Sequence, residues 1–159
     1  MSHFAFRRAD ESDRTYLQRL NYLADVFGDE TAEVGPNQVA DAARYVGDWD
    51  PERDGGVIAV DEWRVPAGGV WLRYWSDPAD GHANLDPETP EIAIAVENRF
   101  AGQRLGAQLL EQVVELAREQ GAKRVALYVA PDNPRARHRY EEFGFVDHPE
   151  IDDVMTFEL

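Results

Sequence analysis

A buried strand, a glycine-bearing loop, a helix and a second buried strand follow one another within residues 91–130. The stretches EIAIAV (91–96) and KRVALYVA (123–130) are short and largely apolar, which is typical of strands covered on both faces. Between them an amphipathic helix, predicted over 103–120, ends at Gly121. This order predicts a right-handed β-α-β unit with two parallel strands, and it favours an α/β fold.

Two glycines, Gly102 and Gly106, lie where this helix begins, with Arg104 between them. Backbone N–H groups at a helix N-terminus bind anions, and glycine lets a pyrophosphate approach the backbone closely. The spacing matches neither the G-x-G-x-x-G dinucleotide pattern nor the G-x-x-x-x-G-K-[ST] phosphate loop. A tight turn without any ligand is the alternative interpretation at this point.

The charge distribution favours a ligand at the loop. The net charge of the chain is −15, yet residues 98–140 hold eight basic and four acidic side chains, a net charge of +4. Positive charge beside a helix N-terminus suits a phosphate-bearing ligand; chance clustering of charge on a solvated helix is the alternative interpretation. The acidic remainder argues against a nucleic-acid partner, which requires a broad basic face.

Composition excludes several further classes of site. The chain has no cysteine, so disulfides, thiolate metal sites and a cysteine nucleophile are impossible, and its four histidines lack ligand-like spacing. No apolar run approaches the ~20 residues of a membrane span, and no signal peptide is recognisable. We therefore expect one domain over residues 1–159, a cytoplasmic location, no metal and no membrane partner; homodimer formation stays open.

The rest of the chain predicts the element order β-α-α-β-β-β-α-β-α-β-β. Asp10 is the expected N-cap of the first helix, with Asp13 three residues later. RVPAGG (64–69) is expected to be the turn between two strands that each open on a Gly-Gly pair. The predicted strands are 3–8, 55–63, 68–77, 91–96, 123–130, 145–148 and 153–159, and the predicted helices are 9–27, 35–49, 103–120 and 133–144.

Two motifs resemble those of the GNAT superfamily of N-acetyltransferases. IAVENRFAGQRLGAQLL (94–110) resembles the family's acetyl-coenzyme-A loop, in which a strand leads through Arg/Gln-x-x-Gly-x-Gly/Ala into a helix. NPRARHRYEEFGF (133–145) resembles the second signature, Asn-x-x-Ala-x-x-x-Tyr-x-x-x-Gly-Phe. The separation of the motifs and the element order also match. The resemblance implies a mixed, mostly antiparallel sheet flanked by helices, with splayed parallel strands in the central β-α-β unit.

The resemblance further implies that acetyl-CoA is the co-substrate. The positions implied to bind it are Ile94, Ala95, Val96, Gly102, Gln103, Arg104, Leu105, Gly106, Ala107 and Asn133. Arg104 departs from the family, which usually has a glycine there. If its backbone is helical, its guanidinium can reach a phosphate; if its φ is positive, the arginine is strained. We expect the helical backbone.

Acetyl transfer to an amine needs a neutral amine, a polarised carbonyl and a proton for the leaving thiolate. No serine lies in G-x-S-x-G, so direct attack in a ternary complex is the simpler mechanism. A backbone N–H at the end of 91–96 would polarise the carbonyl. Tyr140 matches the family position that protonates the thiolate; the alternative is an aromatic that only packs.

The general base is less clearly indicated. Glu91 roughly corresponds to a base position in several family members, and its alternative is a strand-end carboxylate in water. Glu97 and His82 are rivals, each with a plain loop residue as its alternative.

We expect acetylation of a primary amine on a small, cationic acceptor. Acetylation of a protein N-terminus and a non-catalytic acyl-CoA sensor are the alternatives. The loop 77–90, rich in Asp, Pro and Gly, offers little to hold it still, so we expect it to be mobile and to influence the choice of acceptor.

Overall fold

The computed structural model describes residues 3–33, 35–36 and 38–159. Within them the strands form one seven-stranded sheet in the order β1-β2-β3-β4-β5-β7-β6. The strands are β1 (Ala5–Arg8), β2 (Gly56–Val60), β3 (Pro66–Arg73), β4 (Glu91–Val96), β5 (Arg124–Tyr128), β6 (Val146–Asp147) and β7 (Val154–Glu158). The helices are α1 (Arg14–Asp25), α2 (Gln38–Ala42), α3 (Leu105–Glu119) and α4 (Pro134–Phe143).

The strand directions agree with the predicted fold class. Strands β4 and β5 are parallel, and every other neighbouring pair of described strands is antiparallel. Helix α3 makes the crossover between the two parallel strands. The mixed, mostly antiparallel sheet with a central β-α-β unit is therefore confirmed.

Helices cover both faces of the sheet and make two separate cores. On one face, α3 places Leu109 and Val113 against the sheet with no exposed surface. On the other face, α1 packs Leu17 and Leu20 against Trp71 of β3, and all three are fully buried. Burying each leucine contributes roughly 1.5–3 kcal/mol, so these two layers hold the central strands in place.

The predicted N-cap of the first helix is confirmed. The Asp10 carboxylate accepts a hydrogen bond from the Ser12 N–H at 2.9 Å, and the Asp13 carboxylate accepts one from the Asp10 N–H at 2.8 Å. Arg7 of β1 also donates to Asp13 at 2.7 Å. A 3₁₀ turn over Glu11–Asp13 precedes α1, so the cap ties the start of the helix to the neighbouring edge strand.

The predicted turn at 64–69 is wrong, because β3 already begins at Pro66. Gly68 and Gly69 pair with Val96 and Ala95 of β4. A Cβ at Gly68 would lie 2.8 Å from the Ala95 carbonyl oxygen, and one at Gly69 would lie 2.8 Å from a methyl carbon of Leu20. The glycines therefore allow close packing inside a strand, a second role for this residue type.

The second predicted helix, 35–49, is also shorter and less regular. Helix α2 begins at Gln38, and a turn of π-helix follows over Ala43–Gly47. Val34 and Asn37 lie outside the described residues. Among the described helices, none has both the length and the apolar character needed to cross a membrane.

Candidate active site

The parallel strands β4 and β5 separate after a single paired position. Glu91 pairs with Ala126, whose N–H donates to the Pro90 carbonyl at 3.1 Å. Strand β4 then continues to Val96, paired only with β3. The resulting opening beside β4 is called the β4–β5 gap below, and it is the splay that the family resemblance implied.

Backbone alternation places two N–H groups on the side of this gap. The Pro90 carbonyl faces β5, whereas the Glu97 N–H donates to Ala67 on the β3 side at 2.9 Å. Because successive residues of a strand direct their hydrogen-bonding groups to opposite edges, Ile94 and Val96 direct their N–H groups toward the gap. These donors lie beyond the last pair that β5 makes with β4.

No side chain of a described residue caps the N-terminus of α3. The Gln108 N–H donates to the Arg104 carbonyl at 3.3 Å, and the preceding N–H groups of Leu105, Gly106 and Ala107 find no acceptor among the described residues. Free N–H groups and the positive end of the helix dipole together attract an anion. The start of α3 is therefore an anion-binding position.

The expected helical backbone at Arg104 is wrong. Arg104 has φ 62° and ψ 20°, the left-handed conformation, and Gly102 has φ 81°. The chain turns here between a 3₁₀ turn over Asn98–Phe100 and the start of α3, and a left-handed residue makes that reversal. For a residue other than glycine this conformation costs roughly 1–2 kcal/mol. The Arg104 side chain is exposed and forms no ion pair with a described residue.

The loop leaves room for a ligand. A Cβ built on Gly102 or Gly106 would meet no atom within 4 Å. The side-chain oxygen Oε1 of Gln103 is buried and has no hydrogen-bond partner in the described part of the chain. Leu105, in contrast, is a core residue with 1% exposure, so only its backbone is available to a ligand. The open space at the two glycines and the free helix N-terminus fit the phosphates of acetyl-CoA, whereas the Gln103 oxygen, an acceptor, fits an N–H or O–H donor of the ligand.

Helix α4 carries the second motif. Its start agrees with the sequence, since the Asn133 side chain accepts a hydrogen bond from the Ala136 N–H at 3.3 Å and Pro134 is the first helical residue. Tyr140 packs on the α3 side of the sheet, with its ring centroid 6.0 Å from that of Phe145. Asn133 thus caps the N-terminus of α4.

The hydroxyl of Tyr140 is available as a proton donor. It makes no hydrogen bond to any residue that the structure describes. Burial raises the pKa of Tyr140 to about 12, and the nearby Arg139 only partly opposes this effect. The phenol therefore keeps its proton at neutral pH.

Glu91 is not a carboxylate in water, so that interpretation was wrong. It is 3% exposed, and its Oε2 accepts a hydrogen bond from the Tyr45 hydroxyl at 2.5 Å. Its Oε1 accepts from Trp75 Nε1 at 3.0 Å, from the Ala83 N–H at 2.9 Å and from the His82 N–H at 3.2 Å. Burial raises the pKa of Glu91 despite these donors. The carboxylate joins β4 to two other segments of the chain.

Glu97, the residue after β4, joins the strand to α1. Arg19 donates to both carboxylate oxygens of Glu97, the shorter bond being 2.7 Å, and the Tyr16 hydroxyl donates at 2.8 Å. Burial alone would raise the pKa of Glu97, but these partners lower it below its ordinary value. Glu97 therefore stays ionised and paired, which makes it a poor proton acceptor.

Loop 77–90 is anchored, contrary to the expectation that little holds it. Ala83 is 1% exposed and packs against Ala126 of β5. Arg124 donates to Asp86 at 3.0 Å, and the bonds from the loop to Glu91 add a buried attachment. The loop therefore forms a fixed cover over the start of β5.

His82 lies in this loop with 44% of its side chain exposed, and its Nε2 is 3.3 Å from an Asp41 oxygen. Its ring is close to the rings of Tyr45 and Tyr128. Asp41, Tyr45 and Tyr128 come from three other segments, and no local motif in the sequence points to them. In the described ranges, no three His, Asp or Glu side chains are grouped to hold a metal ion.

The family model of the "Acetyltransferase (GNAT) family" matches residues 20–145. Mycothiol acetyltransferase of Beutenbergia cavernae is 32% identical over 141 residues, which are 80% of this chain and 45% of that protein. The chain thus spans less than half the length of this curated relative.

Solved structures show the same fold. An acetyltransferase of the GNAT family from Staphylococcus aureus Mu50 has a TM-score of 0.72 and 14% identity, with 99% of both chains covered. The protein yncA of Salmonella typhimurium, solved with its cofactor acetyl-CoA, has a TM-score of 0.65 and 18% identity, with 99% of this chain and 95% of that chain covered. The family match, the fold and the gap beside a free helix N-terminus lead to one conclusion: the chain belongs to the GNAT family of acetyltransferases.

Proposed function

We propose that the chain transfers the acetyl group of acetyl-CoA to a primary amine by direct attack in a ternary complex. The observation that carries this proposal is the β4–β5 gap, which opens beside the uncapped N-terminus of α3. Backbone donors of β4 line the gap, and Tyr140 lies on the α3 side of the sheet with a free hydroxyl. Acetyl-CoA needs two sites next to each other: hydrogen-bond donors for its thioester carbonyl and an anion-binding position for its phosphates.

The binding role falls to the loop and the start of α3. The N–H groups of Leu105, Gly106 and Ala107 bind the pyrophosphate, and Gly102 and Gly106 leave it room. Gln103 offers its buried oxygen Oε1 as a hydrogen-bond acceptor, and Arg104 supplies a positive charge. When bound, acetyl-CoA supplies an activated acetyl group as a thioester.

The catalytic roles follow from the gap. The N–H groups of Ile94 and Val96 donate to the carbonyl oxygen where negative charge develops, because no described strand pairs with that edge of β4 beyond Glu91. Tyr140 donates its proton to the leaving sulfur, since its raised pKa keeps it protonated. Glu91 as the general base stays a prediction that nothing yet tests, and the four hydrogen bonds that its two oxygens already accept favour a positioning role instead.

A small cationic amine is the acceptor that the charges favour. Asp153 and Asp132 bring negative charge near Tyr128 at the end of β5, although Arg137 also pairs with Asp153 at 3.3 Å. Asp41 adds a carboxylate beside His82. The anchored loop 77–90 covers the same face, which favours a compact acceptor over an extended protein N-terminus. We also propose a cytoplasmic location, where acetyl-CoA and free amines meet a chain without cysteine.

The experiment is acetyl-CoA-dependent thiol release with a panel of polyamines, amino sugars, amino acids and short peptides, with mass detection of the N-acetyl product. We expect small cationic amines to be acetylated. Turnover of peptides alone would support the protein N-terminus as acceptor. CoA binding without turnover of any amine would support the acyl-CoA sensor and overturn the proposal.

A further inference from the structure

We propose that His82 is the general base that takes a proton from the acceptor amine, and that Asp41 orients its imidazole. This inference rests on the proposed acetyl transfer to an amine. It assigns the base to the loop that precedes β4 rather than to the strand itself, and it gives Glu91 a positioning role.

The placement of the ring carries the first part of the argument. Tyr128 lies two residues after Ala126, the β5 residue that pairs with β4, so both side chains share one face of the sheet. The ring of His82 is 5.1 Å from the ring of Tyr128 and 5.9 Å from that of Tyr45, with which it stacks. The imidazole therefore lies beside the end of β5, where the β4–β5 gap opens.

His82 and Tyr140 lie on opposite faces of the sheet. Tyr140 packs into the core beneath α3, together with Leu127 and Val129 of the β5 region. Ala126 of β5 packs instead on the other face, against Ala83 of the loop that carries His82. A direct transfer needs its base on the side from which the amine arrives and its acid on the side where the thiolate leaves. His82 and Tyr140 meet this requirement, because they lie on opposite faces of the sheet at the β4–β5 gap.

The hydrogen bond to Asp41 determines which ring nitrogen is free. An ionised carboxylate only accepts hydrogen bonds, so Nε2 of His82 carries the proton that it donates to Asp41 at 3.3 Å. The neutral ring then has its lone pair on Nδ1, which has no hydrogen-bond partner among the described residues. A carboxylate that fixes the tautomer and stabilises the protonated ring is the arrangement that makes histidine an effective base.

Glu91 holds the base in position. Its Oε1 accepts the backbone N–H groups of His82 and Ala83, and its Oε2 accepts the hydroxyl of Tyr45, on which the imidazole stacks. The His82 N–H also donates to the Tyr45 oxygen at 3.0 Å. At 3% exposure, with four donors, the carboxylate is committed to these contacts.

The charged and titratable groups around the ring come from four elements. Asp41 lies on α2, Tyr45 on the π-helical turn, Glu91 on β4 and Tyr128 at the end of β5. In the loop itself, Asp80 is paired with Arg44 of the π-helical turn at 3.0 Å. Asp41 is the carboxylate hydrogen-bonded to the ring, and the neighbouring tyrosines are uncharged at neutral pH because burial raises the pKa of each.

The proton balance of the transfer closes with these residues. An ammonium substrate gives one proton to Nδ1 of His82 and becomes the neutral amine. The nitrogen then forms its bond to the carbonyl carbon, the C–S bond breaks, and the sulfur takes a proton from Tyr140. The nitrogen then loses its second proton, and this proton restores the hydroxyl of Tyr140. His82 releases to water the proton that it took from the ammonium group. The net products are the amide, the free thiol and one proton.

The test compares His82→Gln with the wild type in kcat/KM across pH, using an amine that the wild type acetylates. We expect a loss of about 10²–10⁴ at neutral pH. The fall of kcat/KM at low pH should also shift to higher pH, toward the pKa of the free amine. Without the histidine, the substrate must lose its proton to water before it can react. His138→Gln is the matched control, since His138 is also an exposed histidine paired with a carboxylate, Glu142 at 2.6 Å.

Two further measurements separate chemistry from folding. Asp41→Asn should lower kcat/KM with little change in the Kd of CoA, because an amide can donate to Nε2 and no longer fixes the ring proton there. Imidazole ¹⁵N NMR of the free protein should show the His82 proton on Nε2. A proton on Nδ1, a His82→Gln rate within about twofold of the wild type, or an equal loss at every pH would each overturn the proposal. If His82→Gln fails to fold, a kcat/KM of Asp41→Asn within about twofold of the wild type overturns the proposal. A wild type that acetylates no amine refutes the proposed function instead.

Discussion

Replacing Arg104 by glycine should raise stability and weaken CoA binding at the same time. Arg104 is left-handed at φ 62°, a conformation that costs a residue other than glycine about 1–2 kcal/mol. Glycine removes this cost but adds back roughly 0.5–1 kcal/mol of unfolded-state entropy. The net gain is about 0.5–1 kcal/mol. For a chain of this length, roughly 2–4 °C per kcal/mol gives a rise of about 1–4 °C in Tm.

The same change removes the guanidinium beside the free N-terminus of α3. A lost charge-assisted contact to phosphate costs about 1–3 kcal/mol, or about 5- to 150-fold in Kd. Differential scanning calorimetry of the free protein and titration calorimetry with CoA measure the two effects.

Arg104→Ala is the matched control for this experiment. Alanine removes the charge but keeps a Cβ, so it should weaken CoA binding without the gain in Tm. If Arg104→Gly and Arg104→Ala melt at the same temperature, the left-handed conformation of residue 104 does not destabilise the folded protein, and the expected gain in stability is refuted. If both bind CoA as tightly as the wild type, Arg104 does not contact the phosphates.

Three further changes test other parts of the site. Gly106→Trp should fold, because a Cβ there meets no atom within 4 Å, yet its CoA affinity by calorimetry should fall at least tenfold, whereas Arg118→Trp near the other end of α3 should bind normally. Tyr140→Phe should lower kcat by about 10²–10⁴ and leave CoA affinity nearly unchanged; a rate near that of the wild type, with chemistry rate-limiting, would make the residue structural. The raised pKa of Glu91 means that the folded state binds its proton more tightly, so stability falls as pH rises from the unfolded pKa of about 4.3 through the folded value. Glu91→Gln should remove this fall in Tm-versus-pH scans, and an unchanged slope would contradict the buried, raised-pKa carboxylate.

Local patterns were enough to predict the central β-α-β unit. The short apolar strands, the helical periodicity of α3 and the Asn133–Pro134 start of α4 are all local features, and each lies where the sequence indicated. The capping box of Asp10 is likewise encoded within four residues. Such features need no knowledge of the rest of the fold.

Features that depend on packing were not predictable in the same way. Gly68 and Gly69 lie inside β3 because Leu20 of α1 and the backbone of β4 approach them, and no turn signal reveals that. The backbone of Arg104 is set by the reversal between the 3₁₀ turn and α3 rather than by its own residue type.

The surroundings of the candidate base were equally hidden in the sequence. His82 meets Asp41, 41 residues away, and Glu91 meets Tyr45, 46 residues away. A sequence pattern can propose the histidine and the glutamate separately. Only the fold reveals that the Glu91 carboxylate accepts the backbone N–H groups of His82 and Ala83 and so holds the histidine in place.

Product analysis tests the central claim most directly. The purified protein is incubated with acetyl-CoA and the best amine of the panel, and free thiol and N-acetyl amine are quantified together. Acetyl transfer in the β4–β5 gap predicts one N-acetyl product for each thiol released, with both signals lost in Gly106→Trp. Thiol release without an acetylated amine, or equal turnover by Gly106→Trp, would contradict it.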